Sequence, residues 1–504
     1  MSIHWPIIGR LLQYPLSTAI VDDRRSWRGI EILVAAMHLA SELDRRCRTP
    51  TVGLLLPTNG VFPIAALAGW MLGKTVVPLN YLLKPAELRY VLEDCGTDTV
   101  VTTQGMLEFL GSAADESLFG TSGVGAAGRP AVANLIRMED VSFTGMPEPR
   151  WPARAAPDEV AVLLYTSGTS GRPKGVMLTH RNLRSQIRQV MNWVDFTRRD
   201  TMLGVLPQFH SFGLAILTLL PMSVGIKVVY TARFVPHRLV KLLREHRPTV
   251  FVAIPSMYNA LLAVKDAGPE DFESLRYVVS GGEPLSRTVA EKFRERFGVT
   301  INEGYGLTET SPATNWCRPH EYRPGSVGRP IPEVDQVIVD INTREPLPPN
   351  VDGEVLIKGP NVMPGYFNLE QQTRDMFDGA GYLKTGDMGR FDDDGHLYIT
   401  GRLKEMLIVA GENVFPREIE EVLNKHPSVN ASGVIGEHDQ LRGELPVAFV
   451  ELKDGEPFDE KSILMFCREH LAGYKVPSRV VRLDALPRNP TGKVMRRELK
   501  ALLN

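Results

Sequence analysis

The 504-residue chain has few cysteines, no long apolar run and no excess of one charge. Its cysteines, Cys47, Cys95, Cys317 and Cys467, lie far apart and outside the CxxC pairs or Cys/His clusters of a zinc site, so we expect reduced, structural thiols. The formal net charge of -2, with Lys and Arg scattered, lacks the concentrated basic field of a nucleic-acid-binding protein. Any anionic ligand must therefore be bound by a local arrangement of residues.

The apolar stretches are too short to cross a membrane. The start, MSIHWPIIGRLLQYP, is interrupted by Arg10 and Pro15, and no run of about 18 apolar residues follows. We therefore expect a soluble, cytoplasmic protein. The apolar N-terminal turn is explained either by a helix packed on the core, which we favour, or by peripheral contact with a membrane surface, which stays open.

Short runs rich in Val, Ile and Leu alternate with segments of helical period, as in TVGLLLP, VFPIAALAGWMLG, TVVPLN and KPAELRYVLEDC. This alternation predicts an α/β protein with mainly parallel sheets. The stretch from Gly111 to Pro130, dense in Gly, Ala and Ser, predicts a surface loop. The chain has no repeat of fixed period.

Near the C-terminus the pattern restarts as a compact unit. PREIEEVLNKHP predicts a helix that begins at Pro416 and stops by Pro427, and DEKSILMFCREHL predicts a second helix after apolar runs around Val434 and Phe449. These roughly 100 residues indicate a small α+β domain. We place the boundary near 401–404, with a large domain at 1–402 and the small one at 403–504.

The sharpest local signal is YTSGTSGRPKGVMLTH at 165–180, for which we expect the order strand, loop, helix, with the helix opening near Thr179. The candidate anion contacts are glycines for close backbone approach, hydroxyl donors and one cation: Gly168, Gly171, Thr166, Ser167, Thr169, Ser170 and Lys174. The spacing differs from that of GxxxxGK[ST], which disfavours a P-loop NTPase. By itself the run leaves a phosphate cradle and an ordinary mobile loop as open alternatives.

At this loop the sequence resembles the superfamily of acyl-CoA synthetases, firefly luciferase and peptide-synthetase adenylation domains, and is most similar to bacterial fatty acid CoA ligases. The resemblance covers nearly the whole chain. The further motifs follow in the family's order: LPQFHSFG at 206–213, SGGEPL at 280–285, EGYGLTETSP at 303–312, GEVLIKGP at 353–360, YLKTGDMG at 382–389, GRLKEMLIVAGENVFPREIE at 401–420 and PRNPTGKVMRREL at 487–499. It implies a large domain of stacked α/β sheets with a further β subdomain, plus a mobile α+β C-terminal domain.

The resemblance implies a nucleotide site that takes ATP and Mg²⁺. Tyr305 would pack on adenine, Thr308 would bond the α-phosphate, and Glu309 would hold the Mg²⁺, which suits the preference of that ion for carboxylate and phosphate oxygens. Asp387 would accept hydrogen bonds from the ribose hydroxyls, with Arg402 as its partner. The remaining implied contacts are Gly304 and Gly306 in the turn, and Gly282, Glu283 and Pro284 along the adenine pocket.

The same resemblance implies the groups that handle the acid and the thiol. His210 would lie beside the substrate carboxylate, where amino-acid-activating relatives carry Asp, and Lys493 would neutralise charge where the two anions meet. Lys404 would be the hinge of the rotating small domain, and Gly411 would line the tunnel for coenzyme A after rotation. Each of these residues, met alone, is more often a core, turn or surface residue.

The implied activity is the ATP-dependent conversion of a carboxylic acid to an acyl-adenylate and then to a thioester. Apolar segments after His210 and at 254–261 suit an aliphatic or aromatic tail, so we expect a medium- or long-chain fatty acid. Three alternatives stay open for the chemistry: a ligase that charges acyl carrier protein, a ligase for an aromatic acid, and a luciferase-like oxidase. A nucleotide-binding regulator without turnover and a homodimeric state also stay open.

Overall fold

The computed structural model describes residues 2–111, 118, 132–167, 172–439, 442–488 and 494–503. Their strands form four sheets, of which the largest has eight mainly parallel strands in the order β14-β13-β12-β11-β9-β10-β1-β2. These strands are β1 Thr18–Val21, β2 Ser26–Arg28, β9 Thr201–Gly204, β10 Lys227–Tyr230, β11 Val250–Ala253, β12 Tyr277–Ser280, β13 Asn302–Gly306 and β14 Ala313–Trp316.

A second, six-stranded sheet has the order β6-β5-β3-β4-β7-β8 and is parallel except for its last pair. Its strands are β3 Thr51–Leu55, β4 Thr75–Pro78, β5 Thr99–Thr102, β6 Asn134–Arg137, β7 Val160–Ser167 and β8 Pro173–Thr179. β3, β4, β5, β9, β10, β11 and β12 are short and almost wholly buried, as predicted for parallel strands covered on both faces.

Most of the helices that accompany these sheets bury one face, and the helix at 61–71 is almost wholly buried. These helices are α1 His4–Gln13, α2 Gly29–Arg46, α3 Val61–Met71, α4 Pro85–Cys95, α5 Gln104–Leu110, α6 His180–Trp193, α7 Ser211–Leu214, α8 Leu220–Val224, α9 Pro236–His246, α10 Pro255–Leu261, α11 Arg287–Phe297 and α12 Glu370–Met376. In α1, Ile7, Ile8 and Leu11 are buried, which is the core packing we favoured for the N-terminal turn. Within the described part of the chain, no helix is long and apolar enough to span a membrane.

The structure corrects the order predicted around the phosphate motif. β7 is followed by another strand, β8, which pairs with it in antiparallel register from Ser167↔Pro173 to Val160↔Thr179. Helix α6 begins only after that strand, with the Thr179 side chain accepting a hydrogen bond from the Asn182 N–H as its N-cap. The described residues of the motif thus belong to two paired strands, and the helix follows the second of them.

A four-stranded antiparallel sheet follows, with the order β15-β16-β17-β18. It comprises β15 Asp335–Val339, β16 Gly353–Lys358, β17 Leu383–Phe391 and β18 Leu397–Arg402. Its registers place Asp387 opposite Arg402, on the last pair of β17 and β18. This sheet corresponds to the β subdomain that the resemblance implies.

The last hundred residues have apolar clusters of their own around Val434 and around Phe449. The predicted helices are present, although the first ends at Leu423, before Pro427. The elements are β19 Leu407–Val409, β20 Glu412–Val414, α13 Pro416–Leu423, β21 Val429–Asp439, β22 Gly443–Leu452, α14 Glu460–His470, β23 Arg479–Leu483 and α15 Arg496–Ala501. The strands form a mixed sheet in which β22 pairs with β19, β21 and β23.

Candidate active site

A cavity of about 1160 Å³ opens at the carboxyl ends of the parallel strands in the eight-stranded sheet. Its walls come from the segments that follow β9, β11, β12 and β13, together with β17, β18 and the turn after β18. Ligand sites in open α/β sheets form at this edge because the loops leaving neighbouring strands diverge there. Small-molecule sites are usually about 300–1,000 Å³, so this one has room for more than one ligand.

At one end of the cavity, Lys174 and Glu309 face the same tyrosine, Tyr366. The Lys174 Nζ lies 5.2 Å from the centre of the Tyr366 ring, and the Tyr366 hydroxyl donates to Glu309 Oε1 over 2.7 Å. Burial, reinforced by the negative Glu309, raises the pKa of Tyr366, so its hydroxyl remains a donor. A cation and a carboxylate are thereby held at one end of the cavity.

Backbone pairing brings Tyr366 to this position. The Phe367 N–H donates to the Gly175 carbonyl over 2.7 Å, and the Met177 N–H donates to the Gly365 carbonyl over 3.1 Å. The segment after β16 therefore runs beside β8, with Tyr366 next to Lys174. Sequence reasoning missed Tyr366, since a tyrosine between Gly365 and Phe367 carries no chemical pattern of its own.

Thr308 and Glu309 lie in a short turn, Thr308–Thr310, directly after β13. The Thr308 and Ser211 hydroxyl oxygens are 3.3 Å apart, which links this turn to the start of α7. Ser211 is a second cavity residue that the sequence analysis did not single out. Its position after His210 in LPQFHSFG was the signal available.

Tyr305, Asp387 and Arg402 form one connected group in the cavity wall. The Tyr305 hydroxyl donates to Asp387 Oδ2 over 2.7 Å, and Arg402 Nε lies 2.9 Å from Asp387 Oδ1. Burial, and next the negative Asp387, raise the pKa of Tyr305 well above its usual range. Asp387 is only 2 % exposed and lies behind Tyr305 and Arg402, both of which line the cavity.

The predicted glycines divide into two kinds. A Cβ on Gly306 would lie 1.8 Å from the Pro312 carbonyl oxygen, so that glycine is needed for β13 and β14 to approach each other. Gly282 has φ +82° and borders the cavity, and a Cβ there would meet only the Ile254 side chain, at 3.8 Å. Gly304 and Glu283 also line the cavity, whereas Pro284 is not among the lining residues.

His210 presents its ring to the cavity at the N-terminus of α7, between Pro207 and Phe212. The side chain is exposed to the open space of the cavity, and the surrounding protein atoms desolvate the imidazole, which lowers the pKa of His210. The ring is therefore neutral at pH 7 and offers one donor and one acceptor without an added charge.

Lys404 also borders the cavity, from the turn after β18. Burial of its side chain among protein atoms, and next the neighbouring Arg402, lower the pKa of Lys404. Gly411 lies apart from these residues, in the turn between β19 and β20, at φ +89° after Ala410 at φ +52°. It is not a cavity-lining residue in this arrangement.

Two groups of predicted contacts lie wholly or partly outside the described residues. They are Gly168, Thr169, Ser170 and Gly171 of the phosphate motif, and Lys493 near the C-terminus. Ser167 is described as the last residue of β7, and Thr166 lines the cavity.

The residues present suit a magnesium ion bound together with phosphate. Among the described residues, no three His, Cys, Asp or Glu side chains come together as a metal site. Glu309 lines the cavity together with Lys174 and Thr308. Mg²⁺ is commonly bound in this way, through one or two carboxylates and the oxygens of a substrate phosphate.

Glu303, at the start of the EGYGLTE motif, is buried between β13 and α13 rather than in the cavity. Burial raises the pKa of its carboxyl from 4.5 to about 7, while Arg417 on α13 and the Leu285 N–H oppose that rise. Glu421 and Arg287 are the other charged groups that act on it. Because the folded state holds this proton more tightly than the unfolded chain, the carboxyl costs stability as pH rises from about 4.5 to 7.

We therefore expect Glu303→Gln to raise the thermal midpoint at pH 8 and to match the parent at pH 4. The carboxyl has a pKa of 4.5 in the unfolded chain and about 7 in the folded state. At 1.36 kcal/mol per pH unit, this difference lowers the free energy of unfolding by about 3 kcal/mol at pH 8. Thermal unfolding at both pH values measures the difference. Glu321→Gln is a control with the opposite expected sign. Hydrogen bonding to Arg318 lowers the pKa of Glu321, so removing this carboxylate should lower the thermal midpoint at pH 8. Equal midpoints for Glu303→Gln and the parent at pH 8 would show that Glu303 is not held protonated.

Comparison with known proteins identifies the family of the chain. The family model described as AMP-binding enzyme matches residues 10–367, and that described as AMP-binding enzyme C-terminal domain matches residues 418–493. The long-chain-fatty-acid–CoA ligase of Bacillus subtilis is 37% identical over 68% of this chain and 61% of that enzyme. The 4-coumarate–CoA ligase CCL1 of Humulus lupulus is 31% identical over 89% of this chain and 84% of that enzyme.

Among solved structures, the o-succinylbenzoate coenzyme A synthetase of Bacillus subtilis, in complex with ATP and magnesium ion, superposes with a TM-score of 0.85. The two chains are 30% identical, and the match covers 98% of this chain and 99% of that one. The α/β sheets, the β subdomain and the C-terminal α+β unit are thus those of the adenylate-forming ligases. The chain belongs to the AMP-binding enzyme family and is an adenylate-forming acid–CoA ligase, a class that works with ATP, Mg²⁺ and coenzyme A.

Proposed function

We propose that the protein activates a medium- or long-chain fatty acid and transfers the acyl group to coenzyme A. The observation that carries this choice is the apolar wall beyond His210. Its residues follow β9 and β11 or lie in β12, and they carry no charge: Leu206, Phe212, Ile254, Met257 and Val279. A long hydrocarbon tail buried against such a wall gains about 0.8 kcal/mol per CH₂ group, whereas a second charged group on the acid would remain unpaired.

In the first step, a carboxylate oxygen of the acid attacks the α-phosphorus of ATP, and pyrophosphate leaves with the electrons of the broken P–O bond. Thr308 would bond the α-phosphate, while Lys174 and Glu309 hold the phosphate end of the cavity. A magnesium ion on Glu309 would supply positive charge to the phosphate oxygens. Lys493 would stabilise the charge that accumulates between the two reacting anions.

The nucleoside would lie along the wall built by Tyr305 and Arg402. Tyr305 presents its ring to the cavity, and its hydroxyl is fixed by Asp387. Asp387 and Arg402 are the candidate contacts of the ribose hydroxyls, and Gly282 leaves room for the adenine beside Glu283. His210, neutral because of its lowered pKa, would orient the acid without repelling or trapping its carboxylate.

In the second step, the thiolate of coenzyme A attacks the acyl carbon and AMP leaves. We place the large domain at 1–402 and the small domain at 403–504, with rotation about Lys404 between the two steps. Gly411 would then approach the cavity and line the path of the thiol. Both steps proceed by positioning and charge stabilisation, without a covalent bond to the enzyme.

A panel of acids of graded length tests the choice of substrate. We expect AMP release with coenzyme A to be highest for fatty acids of medium or long chain, because each added CH₂ buries more apolar surface. 4-Coumarate and benzoate represent the aromatic alternative, for which the 4-coumarate–CoA ligase of Humulus lupulus is the precedent. Higher activity with an aromatic acid, or with holo acyl carrier protein in place of coenzyme A, would contradict the proposal. Absence of acid-dependent pyrophosphate exchange would instead indicate a nucleotide-binding regulator without turnover.

A further inference from the structure

Arg402 and Glu405 both form ion pairs, and the two residues between them, Leu403 and Lys404, have no ion pair within the described part of the chain. Arg402 ends β18, Leu403 and Lys404 follow, and Glu405 completes a single turn. Leu403 and Lys404 border the cavity. The residues on either side of this pair are each joined to a different part of the molecule.

Arg402 is joined to the large part. Its Nε lies 2.9 Å from Asp387 Oδ1, and the two residues are also direct partners in the register of β17 and β18. The Asp387 carboxylate is buried and also accepts from the Tyr305 hydroxyl. Arg402 therefore cannot turn away from β17 without leaving a buried carboxylate short of its cation, which is costly.

Glu405 is joined to the small part. Its Oε2 lies 2.7 Å from Arg496 Nη1, on α15. The same guanidinium also contacts Glu420 of α13 over 2.8 Å and donates to the Val434 carbonyl of β21 over 3.2 Å. Arg496 thus ties Glu405 to one helix, α13, and one strand, β21, of the C-terminal unit.

We propose that the Glu405–Arg496 pair is a positioning device that confines domain rotation to Leu403 and Lys404. This rests on the proposed two-step function, in which the small domain rotates between half-reactions. With Arg402 fixed at one end and Glu405 at the other, the change in backbone angles is absorbed by two residues. A short hinge limits the orientations that the small domain samples, and each half-reaction requires one of them.

The test measures the spread of domain orientations directly. Glu370 on the large part and Asp454 on the small part are exposed, so Glu370→Cys and Asp454→Cys can carry spin labels that report the distance between the parts. The native cysteines are buried and should not be labelled: Cys47, Cys95, Cys317 and Cys467. We expect Glu405→Ala to broaden the distance distribution at least about twofold, with and without ATP, since the hinge then gains residues that are free to turn. We also expect its turnover number to fall about tenfold while its KM for ATP is unchanged, because binding precedes the positioning step.

Glu418→Ala is the matched control. It removes a carboxylate of the same small unit that pairs with Lys475 over the same distance, 2.7 Å, away from the hinge. We expect it to keep the parental width. If Glu405→Ala also keeps that width, or if Glu418→Ala broadens it equally, the proposed device is overturned.

Thermal unfolding establishes that each variant is folded. If Glu405→Ala does not fold, Glu405→Gln replaces it, because glutamine retains the length of the side chain and removes its charge. Failure of the proposed function is seen separately, as a parent enzyme inactive with every acid. The label distances are measurable in either case, because they require no turnover.

Discussion

Glu309→Gln should slow acyl-adenylate formation by about 10³ and raise the Mg²⁺ concentration required for half-maximal rate, because the amide lacks the charge that holds the ion beside the phosphates. Gln has nearly the same shape and still accepts the hydrogen bond that the Tyr366 hydroxyl donates to Glu309 Oε1 over 2.7 Å. The variant therefore tests the charge and not the packing. Acid-dependent exchange of labelled pyrophosphate into ATP, measured over a Mg²⁺ series, gives both quantities.

Tyr366→Phe is the control for this experiment. It removes the hydroxyl that orients the Glu309 carboxylate and leaves the charge in place, so we expect a loss of about tenfold and little change in the Mg²⁺ requirement, as for loss of one hydrogen bond of about 1.4 kcal/mol. An unchanged rate and Mg²⁺ dependence in Glu309→Gln would show that Glu309 does not hold the ion.

Lys493→Ala should slow acyl-adenylate formation by about 10² or more and leave thioester formation from supplied acyl-adenylate largely intact. A lysine that neutralises charge between carboxylate and α-phosphate acts only while those two anions combine. Thiolate attack on the finished acyl-adenylate takes place after that charge has been redistributed. The two half-reactions are measured separately, by pyrophosphate exchange and by release of AMP from synthetic acyl-adenylate with coenzyme A.

Lys500→Ala supplies the matched control, since Lys500 is an exposed lysine of α15 in the same C-terminal segment. It should have parental rates in both assays. Equal losses in both half-reactions of Lys493→Ala would refute the division of roles between them, and parental rates in both would remove Lys493 from the chemistry.

Much of the fold was predictable because it depends on local patterns. The buried runs at 51–55 and 75–78 are strands, and Pro416 and Asp459 start helices where the sequence places those starts. Hydrophobic periodicity, helix caps and proline each affect only a few neighbouring residues, so they can be recognised within a single segment of the sequence. The family was predictable for a different reason, because eight motifs in a fixed order along the chain can be recognised without knowing how they are arranged in space.

The phosphate motif shows where local reasoning failed. The helix begins next to Thr179, as predicted, but the sequence did not indicate that Pro173–Thr179 first forms a strand paired with β7. That strand depends on the hydrogen bonds that β7 and the 365–367 segment offer to β8, and neither partner is visible in the motif itself.

The sequence by itself determined the family, the class of chemistry and most of the residue types at the cavity, because these follow from motifs whose order and composition are fixed along the chain. Only the tertiary structure decided which groups meet. It placed Tyr366 between Lys174 and Glu309, set Asp387 behind Tyr305, and joined Glu405 to Arg496 across 91 residues. These contacts link segments whose separation in the chain carries no information about their distance, and they form only when the sheets and helices pack.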